Sequence, residues 1–122
     1  MLARRIIITA AGAGIGREIA SRFADQGAQV HVCDVDQQGL DQLASQYANI
    51  SVARVNVTDE AAVDAWLHDA LGDLDGCDVL VNNAGIAGPT GSVEEMTLDA
   101  WRQCLAINLD AQMLTCRRVV PL

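Results

Sequence analysis

Lysine is missing from this chain of 122 residues, and all eight of its basic side chains are arginine. No chemistry within the chain can rest on a lysine amine. Aromatic residues are also scarce, at 3%, and Tyr47 is the single tyrosine. The core must therefore be built from Ala, Val, Leu and Ile. No apolar run approaches the roughly 18 residues that a membrane-spanning helix needs. The apolar run at the N-terminus is too short for a signal peptide. Cys33, Cys77, Cys104 and Cys116 form no C-x-x-C pair and have no histidine at ligand spacing, so neither a metal site nor a disulfide framework is expected. Reduced, buried thiols in a cytoplasmic protein are the expectation instead. Positive charge is short as well: sixteen acidic residues against eight basic ones leave a net charge of −8. That balance argues against nucleic acid or an anionic membrane as partner, since both carry the same sign.

With 51% hydrophobic and 20% charged residues, the composition is that of a folded globular chain. Its length suits one domain over 1–122, able to bury about two-thirds of the unfolded surface. Strand and helix patterns alternate along it. Arg5–Ala10 is a β-branched run that reads as a strand buried on both faces. Gly12, Gly14 and Gly16 follow, then Ile15, Ile19, Phe23 and Ala24 at helical spacing, with Gly27 placed to end the helix. Gln29–Cys33 alternates as a second strand and ends at Asp34. Asp36 can cap a helix whose apolar face is Leu40, Leu43, Ala44 and Tyr47. Ser51–Val57 is a third strand, and Thr58 or Asp59 caps a helix with Ala62, Val63, Trp66, Leu67 and Ala70 inside. Asp78–Val81 is a fourth strand. A loop from Asn82 to Met96 leads to a helical region opened by Thr97, with Leu98, Trp101, Leu105, Leu109, Met113, Cys116 and Val120 on one stripe. The alternation implies an α/β fold with a parallel sheet.

A glycine cluster between a buried strand and an amphipathic helix is where main-chain N–H groups can meet a pyrophosphate at a helix N-terminus. Glycines in such a turn also serve close strand–helix packing, so the cluster alone is a weak signal. Asp34 adds to it. An acid ending the second strand can accept hydrogen bonds from both hydroxyls of an adenosine ribose and would repel a 2′-phosphate. Neither Ala13 nor Val35 offers a cation for that phosphate, so NAD is favoured over NADP. A helix cap is the structural alternative for Asp34, and Asp36 is better placed for that role.

At this point the chain resembles a known family. Thr9–Gly16 (Thr-Ala-Ala-Gly-Ala-Gly-Ile-Gly) is similar to the T-G-x-x-x-G-x-G motif of the short-chain dehydrogenase/reductases. Leu74–Val81 followed by Asn82-Asn83-Ala84-Gly85 resembles their fourth strand and N-N-A-G motif. Leu105-Ala106-Ile107-Asn108-Leu109 resembles the segment that carries an active-site Asn. Together the three motifs are specific and span nearly the whole chain. The resemblance implies a Rossmann-like doubly wound sheet, its first four strands ordered 3-2-1-4 and the fourth left on an open edge. It implies NAD as cofactor, with Ala10 at its site and the backbone of Gly12, Gly14, Ile15 and Gly16 along the pyrophosphate. Asp34 and Val35 would sit at the ribose and Asn56 and Val57 at the adenine. Asn82, Ala84 and Gly85 would shape the cofactor floor and tie the fourth strand to the glycine turn. Asn108 would hold a water in the proton relay and distort its helix.

Three positions depart from the family pattern. Ala10 replaces the first glycine, which is tolerable only if φ there is negative. Asn56 replaces the usual Asp, though its amide oxygen can still accept from an adenine amine. Ala111 stands where a Gly often follows the active-site Asn. A larger departure is the missing catalytic pair. The family uses a Tyr with a Lys four residues later, and a Ser; here Tyr47 is followed by Ser51 and no lysine exists. The chain therefore resembles the N-terminal half of a protein about twice as long, one of the two mononucleotide-binding halves of such a sheet. The expectation is an NAD(H)-dependent oxidoreductase acting on a small alcohol or ketone, with this segment inactive alone. Two alternatives stand beside it: a non-catalytic nucleotide-binding or dimerisation module, and a class I S-adenosylmethionine methyltransferase, which would leave Asn82–Gly85 unexplained. A homo-oligomer is expected, joined through the open sheet edge or the stripe Leu105–Val120.

Overall fold

A computed structural model describes residues 3–121; Met1, Leu2 and Leu122, which belong to the terminal stretches read above, lie outside it. The elements run β1 (Arg5–Thr9), α1 (Gly14–Asp25), β2 (Gln29–Asp34), α2 (Gln37–Gln46), β3 (Ile50–Arg54), α3 (Glu60–Leu74), β4 (Val79–Val81), α4 (Leu98–Leu105) and α5 (Ala111–Val119). The four strands form one parallel sheet in the order β3-β2-β1-β4, as the family resemblance implied.

The strand Arg5–Thr9 explains why β1 is central. Ile6, Ile7 and Ile8 are all fully buried, and their side chains alternate between two faces. Ile6 and Ile8 join Val30, Val32, Leu40 and Leu43 on the side of α1 and α2. Ile7 joins Val63, Trp66, Leu67, Leu114 and Val119 on the side of α3 and α5. Each isoleucine so buried contributes roughly 1.5–3 kcal/mol, and polar substitution at any of the three would open the layer it faces.

Several expectations shift in detail. The third strand stops at Arg54 rather than Val57, because the Asn56 side chain accepts from the Thr58 N–H and turns the chain into α3. Of the two candidate caps for α3, Asp59 is used, accepting from the Ala62 N–H at 3.2 Å. Ala44 is exposed rather than on the inner face of α2. Ile15 was expected on the inner face of α1, yet it is 75% exposed. Gly16, Ala20 and Ala24 face the sheet in its place, and their small volume lets α1 approach closely. A Cβ at Gly16 would lie 2.5 Å from the Ala10 carbonyl oxygen.

The C-terminal helical region is interrupted. Ala106–Asp110 form a π-helical turn between α4 and α5, and a short 3₁₀ turn, Val93–Glu95, lies in the loop before α4. Ala111, Leu114, Thr115 and Val119 are buried. Arg117 and Arg118 bind Glu60 and Asp64 and hold α5 along α3. The apolar stripe faces outward: Leu98, Trp101, Leu105, Leu109, Met113 and Val120 are all exposed. No described helix is long and apolar enough to cross a membrane.

At the start of the sheet, Arg5 forms two side-chain hydrogen bonds to Asp78, and its backbone N–H donates to the same carboxylate at 2.8 Å. These contacts, led by the side-chain bond from Arg5, push the Asp78 carboxyl down to about 2. A depressed carboxylate stabilises the fold above its unfolded pKa near ~4, and that contribution disappears as pH falls through about 2. Denaturation midpoints measured across this window should fall for the natural chain more steeply than for Asp78→Asn, which has no such charge to lose.

Candidate functional site

The chain leaves β1 through a turn with little side-chain volume. Ala10 adopts φ +56 and Gly14 φ +59, both left-handed. For Ala10 this overturns the expectation of a negative φ. The conformation persists because its neighbours fix it from both sides. Its carbonyl accepts from Asn83 Nδ2 at 3.0 Å, and the next N–H, of Ala11, donates to the Cys33 carbonyl at 3.1 Å. Thr9 Oγ1 accepts from the N–H groups of both Asn83 and Ala84 at 3.0 Å. So Asn83 and Ala84, through Thr9, tie the fourth strand to the glycine turn.

Asn82, which was expected to share that task, turns the other way. Its Oδ1 accepts from Thr115 Oγ1 at 2.5 Å, joining the end of β4 to α5. Asn83 and Thr9 were not singled out in the sequence, although the doubled Asn of the N-N-A-G motif carried the signal.

α1 differs from α2, α3 and α4 at its start. Asp36, Asp59 and Thr97 cap α2, α3 and α4 with side-chain oxygens. The residue before α1 is Ala13, which has no side chain able to cap, and the first turn holds no acid. A helix start of this kind leaves its first N–H groups, those of Gly14, Ile15 and Gly16, for an outside acceptor, and the helix dipole favours an anionic one.

Asp34 ends β2 beside this turn. Its Oδ2 accepts from the Gly12 N–H at 2.8 Å, and its Oδ1 accepts from the N–H groups of Val35 and Asp36 at 2.7 and 3.1 Å. The carboxylate is thus oriented by three backbone donors without capping a helix, which Asp36 does by accepting from the Gly39 N–H. It borders a cavity of about 260 Å³ lined by Ala10, Asp34, Val35, Val55, Asn56, Val57, Ala84, Gly85, Ile86 and Ile107. Seven of these were predicted for the cofactor; Val55, Ile86 and Ile107 were not, the first two being apolar residues with no motif to mark them and Ile107 the apolar neighbour of Asn108 in its motif. Beneath lies Cys33, whose thiol burial pushes up to about 12, a value that leaves it protonated and inert.

Asn56 is at the cavity, but its Oδ1 accepts from both the N–H and the Oγ1 of Thr58, at 3.0 and 2.7 Å. Both lone pairs of that oxygen are thus engaged within the turn into α3.

Asn108 sits in the π-helical turn, which brings its side chain to the loop after β4. Its Oδ1 accepts from the Ile86 N–H at 2.8 Å and its Nδ2 donates to the Ile86 carbonyl at 2.9 Å. A second, larger cleft, of about 530 Å³, lies at the opposite end of β1; its two guanidinium groups, Arg5 and Arg118, are already bound to Asp78 and Asp64.

An open parallel sheet in this order with helices on both faces is the Rossmann-like architecture. Within that class the chain belongs to the short-chain dehydrogenases: the family's model, described as short chain dehydrogenase, matches residues 4–122. It is 43% identical over 118 residues to the 2-keto-3-deoxy-L-fuconate dehydrogenase of Xanthomonas campestris pv. campestris, covering 97% of this chain and 38% of that protein. Against the L-fucose dehydrogenase of Oryctolagus cuniculus the identity is 36%, over 95% of this chain and 41% of the relative. A 3-ketoacyl-(acyl-carrier-protein) reductase from Brucella melitensis, solved in complex with NADH, superposes with a TM-score of 0.91 at 31% identity, over 97% of this chain and 49% of that one. The chain spans less than half the length of these relatives.

Replacing Ala10 by Gly should relieve its left-handed strain and raise the unfolding free energy by about 1 kcal/mol. Chemical denaturation of the two forms measures it; a fall in stability would show that Ala10 is not strained.

Proposed function

We propose that this chain supplies the NAD(H)-binding half of an oxidoreductase acting on a small-molecule alcohol or ketone. The observation that carries this reading is the uncapped start of α1 lying beside the oriented carboxylate of Asp34. The N–H groups of Gly14, Ile15 and Gly16 would hold the pyrophosphate, with Gly12 leaving the approach open. Asp34 would hold the adenosine ribose, and its charge, with no cation at Ala13 or Val35, would disfavour a 2′-phosphate. Val57, Asn56 and Val35 would flank the adenine, and Ala10, Ala84 and Gly85 would form the floor. When bound, NAD(H) would supply the hydride chemistry at the substrate carbon.

This chain's own residues bind and orient. The family's Tyr and Lys for acid–base work are not among them, so the 122-residue chain is proposed to be inactive by itself. Asn108 is the one family catalytic position it carries. Its placement on a widened turn, bonded to the loop after β4, suits a group that organises the reaction end of the crevice.

Sugar-derived compounds enter through the names of the two curated relatives, and a polyhydroxylated alcohol is the substrate class we favour. The outward stripe on α4 and α5 is apolar enough to bury against a second copy, which makes a homo-oligomer part of the proposal.

Two measurements test these statements. Asp34→Ala should weaken NADH binding at least tenfold, the loss of charge-assisted hydrogen bonds worth about 1.5–3 kcal/mol, and should narrow the preference over NADPH. Absence of NADH binding by the unaltered chain, or equal binding by the variant, would defeat the reading. Trp101→Glu places a charge in the stripe and should shift sedimentation at micromolar concentration from dimer to monomer; an unchanged profile would remove the stripe as the interface.

A further inference from the structure

Gly39 lies in the first turn of α2, and its φ is not among the left-handed ones, so no backbone conformation there demands glycine. In a helix interior glycine lowers stability relative to alanine. A packing reason must therefore exist, and the geometry supplies one. A Cβ at Gly39 would stand 2.2 Å from the carbonyl oxygen of Gly12 and 3.0 Å from its carbonyl carbon. No side chain fits in that space unless the helix and the glycine turn move apart.

The contact bears on more than packing. The N–H of the same Gly12 donates to Asp34 Oδ2 at 2.8 Å. A Cβ at Gly12 would itself come within 3.0 Å of the Asp34 carboxyl. Asp36, whose N–H donates to Asp34 Oδ1, also caps the turn that holds Gly39. The start of α2, the glycine turn and the end of β2 thus lock together around one carboxylate.

We propose that Gly39 is a positioning residue for the adenosine-ribose site, setting through Gly12 where the Asp34 carboxylate sits and hence the choice between NAD and NADP. This rests on the NAD(H) reading above. Gly39 touches no cofactor atom in this scheme; it acts by where it lets the turn lie. The contrast within the molecule is Gly72 of α3, whose added Cβ would meet nothing within 4 Å.

The test is calorimetric titration of the full chain with NADH and with NADPH. Gly39→Ala should weaken NADH binding about tenfold and leave NADPH nearly unchanged, so that the preference narrows by about tenfold. Gly72→Ala, the same chemical change in open space, should keep the preference while raising the thermal midpoint. Equal weakening of both nucleotides by Gly39→Ala, or no change in either, overturns the proposal, because a general loss of folded protein cannot alter a ratio. Should Gly39→Ala fail to fold, Asp36→Ala loosens the same turn while keeping Gly39, and it should narrow the preference by about threefold; an unaltered ratio there counts against the proposal. Absence of NADH binding by the unaltered chain defeats the cofactor reading itself, an outcome separate from all of these.

Discussion

The chain must leave a strand buried on both faces and enter a helix within a few residues, with no side chain larger than a methyl in between. That constraint governs the rest. β1 is hemmed in by β2 and β4 at its edges and by helices on its faces, so its exit can lead only into the crevice above the sheet. Small residues from Ala10 to Gly14, and Gly16 beyond the outward-facing Ile15, make the reversal possible. Two close approaches then follow, α1 against the Ala10 carbonyl through Gly16 and α2 against the Gly12 carbonyl through Gly39. The helix start has no side-chain cap, because Ala13 stands at its N-cap position.

The tension at Ala10 shows how firmly this region is determined. An alanine in the left-handed region costs about 1–2 kcal/mol, and it is accepted because Asn83, Thr9 and Cys33 fix the carbonyl and amide groups on either side. The loop after β4 is thereby as much a part of the glycine turn as the glycines are. Farther along it is held by Asn108 through Ile86, so hydrogen bonds tie this loop to the glycine turn on one side and to the π-helical turn on the other.

Much of this was legible in the residues. The β-branched run before the glycines, the acid after Gln29–Cys33 and the capping positions Asp36 and Asp59 each report a local physical preference. The strand order came from the family resemblance and not from any local pattern. What escaped was set by tertiary approach. The positive φ at Ala10 depends on a partner 73 residues away. Ile15 looked like a core residue by period, but α1 meets the sheet through smaller side chains. Gly39 carries no signal in the sequence; only its close approach to Gly12 marks it. The commitment of the Asn56 oxygen to Thr58 was a neighbour contact that spacing alone did not reveal.

The widened turn at Ala106–Asp110 has a consequence for the helix beyond it. A π turn holds one residue more than an α turn. The turn absorbs that residue; wound as ordinary helix at unchanged length, it would swing everything beyond it by about 100°. Leu114 and Val119 would rotate off α3, and the arginines that follow Cys116 would face away from Glu60 and Asp64. The bulge therefore sets the phase between two helical halves, allowing one to offer its polar amide to the crevice while the other keeps its seat on the core.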